Sequence, residues 1–193
     1  MSEAETAGRV WLVLLARIPT EPARHRMALW RELRRAGAVP LGQATWVLPD
    51  LPAVQPVLER ITALAAAGNG TVLVLSARGH AAGDVDRLEQ LYTEIREQEW
   101  AEFRADCAKY LAEIDKEETV GKYTLAELEE EEQGLDRLRR WYRDLRARDL
   151  LASPPTVDAA TDLKTCERRL DTYAEHVYTA VGSQPQDWIA RRR

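Results

Sequence analysis

Five arginines fall within the thirteen residues from Ala23 to Arg35, at positions 24, 26, 31, 34 and 35. A guanidinium stays charged in water and presents a planar fork of donors, so a row of them suits phosphate or another oxyanion. At about 100° per residue, Arg24, Arg31 and Arg35 fall on one narrow strip, away from the apolar stripe of Ala23, Met27, Trp30 and Leu33. That strip is the candidate contact for nucleic-acid phosphates, although most charged strips are simply solvated surface. Arg26 and Arg34 project toward the flanks of the apolar stripe, near Trp30, which is itself expected in the core. A partly buried arginine needs a carboxylate or an anion. One of the two is therefore expected in an ion pair with the acidic second half of the chain. Arg26 either joins the phosphate contacts or braces the helix, and Arg26 with Arg34 is the alternative pair for holding a dianion.

Other chemistry-bearing residues point less far. Glu127 and residues 129–132 form an acidic run that reads as a solvated face rather than a cation site. Within it Glu132, between Leu128 and Leu135, is expected to face the core with a basic partner. His25, His80 and His176 lack ligand spacing, and His80 with Asp84 and Asp86 reads as loop and cap. Cys107 and Cys166 lie on apolar helical faces and read as core residues, with no Cys-x-x-Cys spacing to suggest zinc or a disulfide framework. No Ser-His-Asp, Walker or dinucleotide pattern appears. The expectation is a protein that is not an enzyme, with no metal site, no cofactor and no catalytic residues.

The elements that must position these residues follow from periodicity. Residues 9–17 form a near-continuous apolar run of strand length. Pro22 suits the first turn of the arginine-bearing helix and Gly37 the position just past its end. Residues 38–41 and 44–48 flank Gly42-Gln43 as a tight hairpin. A second helix carries Val54, Val57, Leu58, Ile61, Leu64 and Ala65 inward, and residues 71–76 make a further strand. The order β-α-β-β-α-β predicts an α+β fold, a ferredoxin-like head of four antiparallel strands with two helices on one face. A small break at 77–83 ends this first domain, residues 1–83. From 84 to 182 the pattern is helical throughout. Asp84 caps a long helix through Leu88, Leu91, Tyr92, Ile95, Phe103, Cys107, Tyr110 and Ile114. After Gly121, Thr124 and Glu127 have capping-box spacing for a helix with Leu125, Leu128, Leu135, Leu138, Tyr142 and Leu145 inward. Past Ser153-Pro-Pro, a last helix carries Ala159, Leu163, Cys166, Leu170, Tyr173, Val177 and Val181. These three predict an antiparallel bundle. Residues 183–193 read as a flexible tail.

Charge divides along the same line. Residues 1–83 carry nine arginines against six acids, a net +3, while residues 84–193 carry a net −8. A mildly basic head on an acidic body permits an anionic partner at the head. At 45% hydrophobic and 31% charged, the 193-residue chain has the composition of a folded protein. No apolar run approaches the ~20 residues of a membrane span, and the acidic start Met-Ser-Glu-Ala-Glu lacks the basic region of a secretory signal. The cytoplasm is the expected location, with no membrane partner.

The segment from Arg26 to Ala38, continued by Trp46-Val-Leu-Pro49, resembles the N-terminal region of the chromate resistance protein ChrB family. Residues 121–130, 138–142, Arg148-Asp149 and 174–178 also resemble segments of that family, so the likeness extends over nearly the whole chain. The resemblance implies a bacterial regulator of chromate-resistance operons that binds DNA and responds to chromate. Longer members carry a second, C-terminal domain associated with chromate sensing, and the expectation is that this chain is the form without it. The head is also similar to ferredoxin-like domains of CRISPR-associated nucleases and PaaX-type repressors. A nuclease of that type would need an acid at the end of the first strand, where this sequence reads Ala16-Arg17-Ile18-Pro19, so nuclease activity is not expected. The expected partner is DNA, contacted by Arg24, Arg31, Arg35 and Arg26, with chromate as an effector. A homodimer would double the contacts. The alternatives are a non-DNA accessory module of a chromate-resistance system, binding a partner protein through its acidic helical body, or an oxyanion-binding protein.

Overall fold

The computed structural model describes residues 9–153 and 155–182. Among these the fold is α+β, a four-stranded antiparallel sheet and five α-helices. In chain order they are β1 (Trp11–Arg17), α1 (Ala23–Arg35), β2 (Val39–Pro40), β3 (Thr45–Pro49), α2 (Gln55–Ala67), β4 (Thr71–Ala77), α3 (Ala82–Thr119), α4 (Leu125–Arg148) and α5 (Thr156–Gly182). A turn of 3-10 helix at Pro52–Val54 leads into α2.

Two compact units divide the chain. Residues through Gln98, with Asp144–Ser153, form a sheet unit; Glu99–Arg143, with the described residues after Ser153, form a helical unit. The division falls inside α3, and the last turn of α4 belongs with the sheet. The expected tail, 183–193, lies outside the described residues.

The sheet order is β2-β3-β1-β4, with β1 central and antiparallel to both neighbours. Alternation along each strand sends successive side chains to opposite faces. Leu12 and Leu14 of β1 register with Leu48 and Trp46 of β3. Together they pack on Leu29 and Leu33 of α1 and on Ile61 and Ala65 of α2. The other face is covered as well. Trp11, Val39 and Val47 meet Tyr92 of α3, with Leu88, Leu91 and Ile95 alongside. This second cover explains why the start of α3 folds with the sheet. Beyond its reach Leu15, Leu73 and Leu75 remain exposed.

Several local expectations shift by a residue or two. The β2–β3 connection spans residues 41–44, closed by Leu41 N–H donating to the Thr45 carbonyl at 2.9 Å, and is wider than a two-residue turn. Asp84 sits inside α3 rather than capping it, and accepts from the Ala81 N–H at 2.8 Å. Thr124 does cap α4, its hydroxyl accepting from the Glu127 N–H at 3.3 Å. Leu125 and Val181, expected inward, are exposed.

In the helical unit, Trp100 and Phe103 of α3 pack against Tyr142 and Trp141 of α4, the first pair tilted and the second edge-on. Cys107 and Ile114 of α3 and Ala159, Cys166, Tyr173 and Val177 of α5 are buried. Arg104 of α3 reaches Asp162 of α5 at 2.7 Å, and Arg139 of α4 reaches Glu167 of α5 at 2.9 Å.

Candidate functional site

Helix α1 starts behind Pro22, whose backbone is extended, and stops where Gly37 takes φ +81°. The turn closes with Gly37 N–H on the Arg34 carbonyl at 3.1 Å and Ala38 N–H on the Leu33 carbonyl at 3.0 Å. Such an ending needs a left-handed residue, and glycine adopts it without a Cβ penalty. Gly37 serves a second purpose. A Cβ there would fall 2.3 Å from the Arg148 carbonyl oxygen, so the end of α4 lies directly on the end of α1. Tyr92 fixes the same carbonyl: its hydroxyl donates to Arg148 O at 2.7 Å and accepts from the Leu150 N–H at 3.1 Å.

This three-way junction of α1, α3 and α4 within the sheet unit creates a cleft of about 520 Å³ lined by Trp30, Arg31, Arg34, Arg35, Asp144 and Arg148. Four arginines and one aspartate thus line the cavity. Arg34 lies over the Trp30 ring, 4.9 Å from its centroid, in a cation–π contact. Arg31 and Arg35 are exposed and make no ion pair among the described residues. Arg34 and Arg35 also occupy the last turn of α1, where positive charge complements the helix dipole by roughly 0.3–1 kcal/mol. Arg148 sits likewise in the last turn of α4, so the dipole accounts for three of the four cations in stability terms and does not extend to Arg31.

The predicted contact residues are therefore only partly brought together. Arg31 and Arg35 share the cleft. Arg24 does not line it; its Nε donates to His25 Nε2 at 3.3 Å. Arg26 lines a different cleft, of about 500 Å³, with Ile18, Met27, Trp30, Gln43 and Trp46. Arg26 and Arg34 therefore line different clefts that share Trp30, and Arg26 is exposed with no ion pair among the described residues. Trp30, expected in the core, is 40% exposed and forms part of both clefts. It meets Trp46 edge-on at 6.5 Å, and Trp46 is the buried member of the pair.

The acidic run holds a different surprise. Glu131, not Glu132, is the buried carboxylate, because Leu128, Glu131 and Leu135 share the inward face of α4 while Glu132 is exposed. Burial first, then the charges of Glu113, Glu130, Glu117 and Glu127, push its pKa up to about 7. It lines a cleft of about 670 Å³ with Lys109, Glu113, Glu130 and Arg137, among others. Among the described residues no group of three or more His, Cys, Asp or Glu side chains is arranged to hold a metal ion. No described helix is long and apolar enough to cross a membrane. Arg148 and Asp144 are the site residues that sequence reasoning misses. Arg148 enters the sequence reading only as part of a family-like segment and Asp144 not at all; only the Gly37 contact brings them to α1.

Residues 26–184 match the family described as "Protein ChrB, N-terminal". The chain is also similar to Protein ChrB of Cupriavidus metallidurans, 33% identical over 107 residues. That match covers 55% of this chain and 32% of that protein, so the chain aligns with about a third of its relative. No solved structure matches.

Proposed function

The chain belongs to the ChrB N-terminal family, and from that premise we propose that it is a non-enzymatic DNA-contacting regulatory protein tied to chromate resistance. The observation that carries the proposal is the cleft at the end of α1, where four arginines face one aspartate. Arg31 and Arg35 are its leading phosphate contacts, with Arg148 and Arg34 beside them. Arg26, on the same helix, is a flanking contact, and Arg24 extends the row toward the N-terminus. Phosphate contacts position a protein without reading sequence, so this surface accounts for affinity and leaves base readout to other residues. The fold that goes with this reading is a ferredoxin-like head and an antiparallel three-helix bundle. A homodimer would place two such clefts on one duplex, with exposed Leu15, Leu73 and Leu75 available to a second copy.

The concavity of the cleft supports a second reading, in which the same four arginines hold a tetrahedral oxyanion such as chromate. One experiment separates the two. The purified chain is titrated by fluorescence anisotropy against a duplex from upstream of its own gene and against a shuffled duplex. Thermal unfolding is then followed with chromate and with sulfate. Preference for the upstream duplex, weakened in Arg31→Ala/Arg35→Ala, supports the regulator. Stabilisation by chromate with equal, negligible binding of both duplexes overturns it in favour of the oxyanion site.

A further inference from the structure

The two edges of the sheet differ. On one side β2 is two residues long and includes Pro40, which has no N–H to offer a neighbouring strand. On the other side β4 runs for seven residues, Thr71–Ala77, each paired with β1 from Arg17 to Trp11 without a bulge. Its outer edge therefore carries a row of backbone donors and acceptors. No described strand pairs with that edge, and no described loop bonds to its backbone. Folded chains protect such an edge with charge, proline, a bulge or a short strand, and Thr-Val-Leu-Val-Leu-Ser-Ala has none of these. The face beside it is bare as well. Leu73 is 55% and Leu75 44% exposed, and Leu73 registers with the exposed Leu15 of β1. On the opposite face Val72 and Val74 pack against the core under α1 and α2.

What completes such an edge is another strand, and β4 is complementary to itself. Set antiparallel about Val74, Thr71 lies opposite Ala77, Val72 opposite Ser76 and Leu73 opposite Leu75. Just past the ends Arg78 falls opposite Gly70, so no charged residue meets another. Only this register pairs all seven residues. A slip of one would send the leucines of the two copies to opposite faces, and a slip of two would leave residues at the ends unpaired. We propose that β4 pairs antiparallel with β4 of a second copy of this chain, about a two-fold axis through Val74, joining two four-stranded sheets into one of eight. The union satisfies the edge backbone and gathers Leu15, Leu73 and Leu75 of both copies into one apolar band. A homodimer built this way is independent of what α1 binds.

The test uses the full chain without DNA. Sedimentation equilibrium over a dilution series should show a species of twice the 21.9 kDa chain mass, dissociating on dilution. Leu73→Lys/Leu75→Lys sets lysine opposite lysine at both cross-strand pairs. It should weaken dimerisation at least about ten-fold and leave the far-UV circular dichroism unchanged. Register is read by cysteine substitution under mild oxidation. Val74→Cys should cross-link to itself, because directly opposite Cα atoms fall within the roughly 4.4–6.8 Å that a disulfide spans. Thr71→Cys alone should not, since its two copies would stand about 20 Å apart along the strand, yet it should cross-link when mixed with Ala77→Cys. These variants decide the outcome if the lysine variant fails to fold. A monomer at the highest soluble concentration overturns the proposal. So does a dimer that keeps its affinity in the lysine variant and forms no cross-link through Val74→Cys, which would place the interface elsewhere. Slow hydrogen exchange of the β4 amides in a protein that is monomeric at every dilution overturns it too, in favour of an edge covered by the same chain.

Discussion

In the helical unit Arg104, Arg139 and Arg169 each hold two carboxylates. On α1 of the sheet unit, Arg26, Arg31 and Arg35 hold none among the described residues. The same residue type therefore has two roles in one chain. A cation neutralised by its own fold is committed to stability. A cation left beside other cations raises the energy of the fold by like-charge repulsion, and an anion from outside relieves that repulsion. The two sets should accordingly respond oppositely to removal, with the helical arginines costing stability and the α1 arginines costing binding.

The most disruptive way to break this contrast is at the junction that builds the cleft. Gly37→Ala places a Cβ 2.3 Å from the Arg148 carbonyl at φ +81°. It should cost at least about 2 kcal/mol and displace Arg148 from the cleft. Thermal unfolding should fall by roughly 4–8 °C and duplex affinity should fall with it. Next in size, Arg31→Ala/Arg35→Ala should lower duplex affinity by roughly 10- to 100-fold while leaving the unfolding temperature unchanged or slightly raised. A fall in both would place these arginines with the structural set.

The converse substitution is Arg169→Ala. It strips Glu118 of its ion pair at 2.9 Å and Asp115 of a partner, and should cost about 1 kcal/mol given the partial exposure of the pair, with duplex affinity untouched. The remaining effects are ones of pH. Arg169, and then His176, hold the Glu118 carboxyl below its ordinary range, so its contribution is complete at neutral pH and is lost as pH falls through that lowered value. Glu131 has the opposite sign. Its pKa of about 7 means the folded chain binds a proton that the unfolded chain releases near the ordinary carboxylate value. Its contribution is therefore complete below about pH 4.3 and is lost as pH rises toward 7. Facing it are Glu113 and Glu117 of α3 and Glu127 and Glu130 of α4, with Lys122 bridging Glu117 and Glu127. Glu131→Gln should flatten the decline of denaturant stability between about pH 5 and 8 and make the chain more stable at about pH 8. An unchanged slope would remove Glu131 from the account.

Much of the fold is legible because it rests on local chemistry. The β1 run, the Gly37 stop, the Thr124 cap and the inward residues of α5 through Val177 each follow from periodicity or from one end residue. What fails is phase and distance. On α4 an inward arc wide enough for Leu128 and Leu135 admits either Glu131 or Glu132, and only packing selects the former. Trp30 sits at the edge of its apolar stripe, where a large ring can be half covered, and spacing says nothing about which half. The cleft is invisible for a different reason. Arg148 reaches Arg31 and Arg35 because Gly37 lets a carbonyl approach and Tyr92 holds it there, a meeting of three segments that no local pattern encodes. The meeting of the Cys166 thiol with the Cys107 carbonyl is hidden in the same way, since each cysteine alone fits the core pattern of its own helix.

The most direct test of the division between committed and available arginines is the salt dependence of duplex affinity for the native chain, Arg31→Ala/Arg35→Ala and Arg169→Ala. If the α1 arginines contact phosphates, the logarithmic slope of affinity against salt should become shallower by about two in the double variant, in keeping with about 0.9 for each phosphate no longer neutralised. It should remain at the native value in Arg169→Ala. Identical slopes in all three proteins, or a native chain that binds no duplex at low salt, would contradict the account.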